Sequence, residues 1–401
     1  MDESRRDKVF KMSADLVADT PVAFKRYLYD EVDWNSRLVC VKGARGVGKT
    51  TMLLQRISEM PNPETALYVS LDNIWMDARE TYSLAEYHLA RGGTHFFIDE
   101  AHKLEDWQNL VKSLNDNLRR LHVAYSGSSL LKLEKRGGDL SRRQTSYTLD
   151  GLSFREYLKF EGVADLPAIS LEDILSNHVA LARSICRKCP VLRHFDDYRN
   201  GGYYPFYKDE PRHYLNRIVS VVNQVLDVDY PEIEDVEPMT TRKARRMLDI
   251  LASSTPLTPN MDRLYRELGT DRKQGLKILY ALERAGLLSL LASAAKENLK
   301  HLATPDKIYC GNPNLMRALV PLPNPGTMRE TFFLNQLRHA HAVVYPPKGD
   351  FLICKKETSQ NLQVDSYKET VISDDTGPDE TDSAGVTISV SPGSGYKLYR
   401  Q

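Results

Sequence analysis

Eight residues constrain the fold of this chain more tightly than any others: Gly43-Ala44-Arg45-Gly46-Val47-Gly48-Lys49-Thr50. They match GxxxxGK[ST] in full, follow the apolar run Arg37–Lys42 (RLVCVK) and open the apolar helical run Thr51–Ile57. The glycines let the backbone curl so that successive N–H groups converge on an anion, a hollow that side chains would obstruct. The start of the helix adds unpaired N–H groups and the positive end of its dipole. Gly43 through Thr50, with Thr51, are therefore expected to cradle the phosphates of ATP. Lys49 should reach the β- and γ-phosphates, and the Thr50 hydroxyl should ligate Mg²⁺.

A second element stands about fifty residues on. Thr94-His95-Phe96-Phe97-Ile98-Asp99-Glu100 is an apolar strand that ends in two carboxylates. Asp99 is placed for the metal shell and Glu100 to polarise an attacking water as general base. Such a strand end alone is commonplace; its distance from the glycine loop is what gives it meaning. On the next strand, Leu121–Ser126 (LHVAYS), small polar residues follow: Ser126, Ser128 and Ser129. One of these three could hydrogen-bond the γ-phosphate or the water, against the plainer reading of a Ser/Gly turn.

The surrounding pattern fits this chemistry. Strand candidates Arg37–Lys42, Ala66–Leu71, Thr94–Ile98, Leu121–Ser126 and Ser146–Leu149 alternate with helical stretches near Gly48–Met60, Ser83–Ala90 and Glu105–Arg120. Short, nearly continuous apolar strands between helices predict a parallel sheet covered on both faces, an α/β fold of the P-loop NTPase type. This domain is expected over 1–150. A helical region over 151–235 follows, with the Tyr-rich connection Tyr198–Tyr207. Residues 236–325 read as three helices and two strands, a winged helix. Residues 326–355 form a partial α/β module, and 356–401, rich in Ser, Thr, Asp, Glu and Gly, read as a disordered tail.

Composition narrows the partners. Lys plus Arg and Asp plus Glu both number 54 of 401 residues, so only a local patch could bind nucleic acid. One such patch is Arg242-Lys243-Arg245-Arg246 with Arg272, Lys273 and Lys277, placed to meet duplex DNA phosphates. Asp249, Asp262, Glu267 and Glu283 dilute it, and winged helices also dock proteins, so both partners stay open. No apolar run spans a bilayer and the first residues carry no secretory h-region, so a cytoplasmic protein without membrane contact is expected. A single Cys186-x-x-Cys189 with His194 reads as ordinary thiols rather than a zinc site.

Taken together, these residues resemble a bacterial and archaeal family of AAA+ ATPases of largely unknown function, with a C-terminal winged helix and a nuclease-like module. The resemblance rests on GARGVGKTT, FFIDEAHKLEDW, SGSS, the stretch Asp139–Tyr157 and YRNGGYYP, and LSFREYL is its most family-specific part. It implies the nucleotide and metal roles of Lys49, Thr50, Asp99, Glu100 and Ser128. It also implies an Arg before LSFREYL, here Arg143, as a finger or sensor for the γ-phosphate; the alternative is a surface arginine. In the nuclease-like module Glu330 and Asp350 match the first two acidic positions. The third, a Glu-x-Lys strand, is missing, which implies an incomplete module through truncation or a reading-frame change, and no nuclease activity is expected.

The chain holds no Asn-Lys dipeptide for guanine recognition, which argues against a GTPase. The expectation is an ATP·Mg²⁺-dependent ATPase that couples nucleotide state to conformational change. The alternative is a switch or docking module that binds ATP without turning it over.

Overall fold

The computed structural model describes residues 2–73, 75–127, 140, 142–231, 236–254, 260–293, 304–346, 350–355, 370–373, 386–389 and 397–400. Two compact units emerge. One comprises Met1–Phe160 together with Tyr204–Pro211; the other holds Glu161–Tyr203, Arg212–Pro231 and Asp235–Gln401.

The first unit is built on a parallel sheet of β1 (Leu38–Lys42), β2 (Ala66–Ser70), β3 (His95–Asp99), β4 (His122–Gly127) and β5 (Thr145–Thr148), in the order β2-β3-β4-β1-β5. Four of these strands are buried in nearly every position because both sheet faces are covered, and their centres are apolar. Leu38, Cys40, Leu67, Val69, Phe96, Ile98, Val123 and Tyr125 share one face and pack in a single cluster with Leu84, Leu110, Val111 and Leu114. Those last residues belong to α3 (Ala78–Ala90) and α4 (Trp107–Asn117), whose apolar positions recur at helical spacing. The Asp77 carboxylate caps α3 by accepting from the Glu80 N–H at 2.7 Å. On the other parity Val39, Val41 and Phe97 are buried too. The unit also holds α1 (Glu3–Ala18), α2 (Lys49–Ser58) and α5 (Phe154–Phe160), beside a single helical turn at Leu28–Glu31.

The strand at 66–71 lies between the loop strand and the Asp-Glu strand in sequence; in the sheet one inserted strand, β4, separates these two, and β2 lies at the edge. Chain order and sheet order differ because each parallel crossover is free to skip a neighbour.

In the second unit come α6 (Leu171–Lys188), α7 (Val191–Gly201) and α8 (Tyr214–Gln224), then α9 (Pro238–Ser253), α10 (Met261–Glu267) and α11 (Arg272–Arg284). An antiparallel pair follows, β6 (Leu288–Leu291) with β7 (Lys307–Cys310), and then α12 (Pro313–Leu319) and α13 (Pro325–Arg338). Asn314 anchors this unit. Its side-chain oxygen accepts from the Tyr203 N–H at 2.7 Å and the Tyr214 hydroxyl at 2.5 Å, and its amide donates to the carbonyls of Tyr198 and Arg199 at 3.0 and 2.8 Å.

A second five-stranded sheet runs β12-β11-β10-β9-β8, from β8 (His341–Val344) and β9 (Phe351–Lys355) to β10 (Thr370–Ser373), β11 (Val386–Ser389) and β12 (Lys397–Arg400). Its last three strands fall inside the stretch expected to be disordered. Each is a four-residue run (TVIS, VTIS, KLYR) in which β-branched or aromatic residues concentrate, a signal that the polar average of the whole tail hides.

Candidate functional site

The phosphate loop leaves β1 at Lys42 and closes at α2, at the carboxyl edge of the parallel sheet where open α/β folds place their ligands. Gly46 and Gly48 take left-handed backbones, φ +82° and +100°, which make the curl and start the helix without a Cβ penalty. The Lys49 side chain is buried and folds back over the loop, its ammonium donating to the carbonyls of Gly43 and Ala44 at 3.2 and 3.0 Å. Thr50 is the next residue of the same helix, so its hydroxyl emerges at the mouth.

Beside it stands Asp99, the last residue of β3. The Thr50 hydroxyl donates to Asp99 Oδ2 at 2.6 Å. Two more hydroxyls hold that carboxylate: Tyr68 of β2 donates to Oδ2 at 2.9 Å, and Ser126 of β4 donates to Oδ1. Burial, with the Asp99 charge beside it, pushes the Tyr68 phenol far above its ordinary value, so it stays a donor. The Thr50–Asp99 pair is a set of hard oxygen donors on rigid elements, which suits Mg²⁺.

Glu100 turns away from the strand in a left-handed conformation, φ +52°, the only such non-glycine residue among the described ones. A backbone of this kind costs on the order of 1–3 kcal/mol and gathers at functional sites. Contacts on both the backbone and the side chain hold it. Its N–H donates to Ser126 Oγ at 3.2 Å, and its Oε2 lies 3.4 Å from Nε2 of the fully buried His102.

The structure thus brings Gly43 through Thr51, Asp99 and Glu100 to one edge. It adds Tyr68, Ser126 and His102, two of which sequence reasoning had passed over as a site. Tyr68 looks like core on a buried strand, and His102 like any residue of a short turn. Ser128 lies outside the described residues, as does Ser129. Arg143 is not brought in. It sits just before β5, at the amino-terminal edge of the sheet, and pairs with Asp116 at 3.1 Å. An Arg immediately upstream of a strand enters at that strand's amino end, opposite the phosphate loop.

Elsewhere, the basic cluster is partly spent: Arg245 pairs with Asp227 at 3.0 Å and Lys243 donates to the Gly269 carbonyl at 2.6 Å. Arg242, Arg246, Arg272, Lys273 and Lys277 are exposed. Glu330 and Asp350 do converge, about Lys307, whose ammonium lies 2.6 Å from Asp350 and 3.7 Å from Glu330, while β9 reads FLICK with no Glu-x-Lys. No group of three or more metal-ligating side chains occurs among the described residues, Cys186 and Cys189 included. No described helix is long and apolar enough to cross a membrane.

Residues 35–158 match the model of an AAA domain. Their fold is that of an AAA-type P-loop domain. Residues 192–326 of the chain match a domain of unknown function. An uncharacterized protein of Methanocaldococcus jannaschii is 26% identical over 304 residues, which cover 68% of this chain and 63% of that protein. Among solved structures, DnaA from Aquifex aeolicus bound to AMPPCP is 13% identical, with a TM-score of 0.23 over 75% of this chain and 92% of that one. The C. elegans PCH-2 structure is 13% identical, with a TM-score of 0.23 over 43% and 51%. A structure describing katanin self-assembly is 21% identical, with a TM-score of 0.26 over 43% and 60%. The five-stranded parallel sheet of the AAA domain, with its loop after β1, is the fold of a P-loop NTPase.

Proposed function

We propose that the chain is a Mg²⁺-dependent ATPase that couples the state of its nucleotide to conformational change. One observation carries the reading: the Thr50 hydroxyl and the Asp99 carboxylate meet at 2.6 Å at the mouth of the phosphate loop, from separate elements. That contact is the oxygen pair that would hold the metal, which when bound neutralises charge on the β- and γ-phosphates. The chain's own groups supply the rest. Loop N–H groups hold the phosphates, and Lys49 exchanges its two carbonyl partners for β- and γ-oxygens. Glu100 accepts the proton of a water whose oxygen bonds to the γ-phosphorus as the bond to ADP breaks.

Support for the coupling comes from Tyr204–Pro211. These residues pack with the AAA domain although Tyr203 and Arg212, on either side, belong to the other unit. For the second unit we read α9, α10, α11 and the β6–β7 pair as a winged helix. The exposed Arg272, Lys273 and Lys277 of α11 are the groups that would meet duplex DNA phosphates. Protein docking is the reading left if DNA has no effect.

The test is ATP hydrolysis with Mg²⁺, beside ATP binding, with and without duplex DNA. Lys49→Ala should lose binding, and Glu100→Gln should bind ATP while turnover falls by at least about 100-fold, the usual scale of a general base. Binding by wild type with turnover no higher than that of Glu100→Gln makes the protein a nucleotide switch. No binding of ATP by wild type defeats the proposal.

A further inference from the structure

Arg26 lies in the segment before β1, far in sequence from any motif, yet the residue is 7% exposed and every nitrogen of its guanidinium is engaged. Nη1 donates to the carbonyl of Val47 in the phosphate loop at 2.7 Å. Nη2 donates to the carbonyls of Asp150 and Gly151 at 2.8 Å each and to Glu156 Oε2 at 3.1 Å. Nε donates to Glu156 Oε1 at 2.9 Å. Glu156, 5% exposed, also accepts from the N–H groups of Tyr27 and Ser153, both at 2.9 Å. Burial alone would raise its carboxyl; the charge and hydrogen bonds of Arg26, with those two N–H donors, outweigh that and hold it below its ordinary value.

A pair that served cohesion alone would not need a loop carbonyl. In a trans peptide the C=O and the N–H lie in one plane and point in opposite directions. Anchoring the Val47 oxygen therefore also orients the Gly48 N–H, which faces away from the guanidinium. Gly48 is the N-cap of α2, and its N–H belongs to the set that a phosphate would receive. The other side of the loop is pinned as well, since a Cβ on Gly43 would stand 2.1 Å from the Leu149 carbonyl. Asp150 and Gly151, which follow Leu149, are the residues Arg26 clips.

We propose that Arg26, held by Glu156, is a positioning residue for phosphate binding: it fixes the 47–48 peptide so that the loop is shaped for a polyphosphate before the nucleotide arrives. The family-specific run LSFREYL, through Glu156, then acts on the phosphate loop without touching the ligand. This rests on the ATP-binding reading above.

The experiment measures binding of ATP and of AMP, which has no β-phosphate, to the full chain without Mg²⁺. Wild type is compared with Arg26→Lys and Glu156→Gln, and thermal unfolding is followed alongside. Lysine keeps a charge for Glu156 but lacks the fork that reaches three carbonyls. Arg26→Lys and Glu156→Gln should each weaken ATP at least about tenfold, the size of one misdirected charge-assisted hydrogen bond, while AMP changes less than about twofold. Folded variants that bind ATP as wild type does, or that lose ATP and AMP equally, overturn the positioning role and leave the ATP reading intact. So does failure of both variants to fold, which would make the pair structural. Absence of ATP binding in wild type overturns both.

Discussion

The contact between Phe206 and the phosphate loop makes a quantitative prediction. A methyl group added at Gly46 would lie 2.6 Å from Cε1 and 3.0 Å from Cδ1 of Phe206, well inside van der Waals contact. Gly46→Ala thus carries two costs. The left-handed backbone, φ +82°, costs an alanine about 1–2 kcal/mol. The overlap with the ring adds about 1–3 kcal/mol, the usual cost of overpacking. Together they should lower unfolding stability by about 2–5 kcal/mol. In a Phe206→Ala background only the backbone part survives, about 1–2 kcal/mol. The double mutant should therefore be more stable than the sum of the singles by about 1–3 kcal/mol. Urea unfolding of the four proteins, with ATP affinity read in parallel, measures that coupling. Additive costs, within about 0.5 kcal/mol, would refute the placement of Phe206 on Gly46, and with it the argument that 204–211 seats on the loop.

Other outcomes follow from the geometry. Tyr68→Phe removes one of three hydroxyls from Asp99 and should weaken Mg²⁺·ATP by about 3–10-fold while sparing metal-free ATP, as titration with and without Mg²⁺ will show. Asn314→Leu removes a partner from four groups, three of them in buried bonds, and should lower unfolding stability by at least about 2 kcal/mol, read by urea denaturation; unchanged stability would contradict the described network. His95 is pushed down to about 4, first by burial and then by His122, whose ring stacks 5.0 Å away. The unfolded chain then binds a proton near pH 6.5 that the folded one refuses. Stability should be full above that pH and fall as pH drops from about 6.5 toward 4, with a shallower fall in His95→Gln, measured by urea midpoints at pH 7 and 5.

The sheet was legible because each of its strands carries its own signal: LVCVK, ALYVS and HFFID are buried on both faces and so read as unbroken apolar runs. Lys49, Thr50, Asp99 and Glu100 were legible because spacing along a loop and a strand end fixes where they point. Arg26 was not, since its partners lie 21 to 130 residues away and nothing local in PVAFKRYL marks it. Tyr68 was hidden for a different reason: a tyrosine in an apolar strand looks like packing until the neighbouring strand shows what its hydroxyl meets. For Arg143, proximity in sequence to a motif left unsaid which end of its strand it occupies. In the tail, polar averages over a long window masked four-residue strands.

The return of Tyr204–Pro211 to the AAA domain also bears on how the protein is made. The last strand and helix of that domain are complete at Phe160, but the aromatic residues that lie against Gly46 and Tyr157 are synthesised only after α6 and α7. At about 5–20 residues per second, the gap lasts on the order of several seconds on the ribosome. During that interval the nascent phosphate loop lacks the aromatic residue that lies against Gly46 in the folded domain.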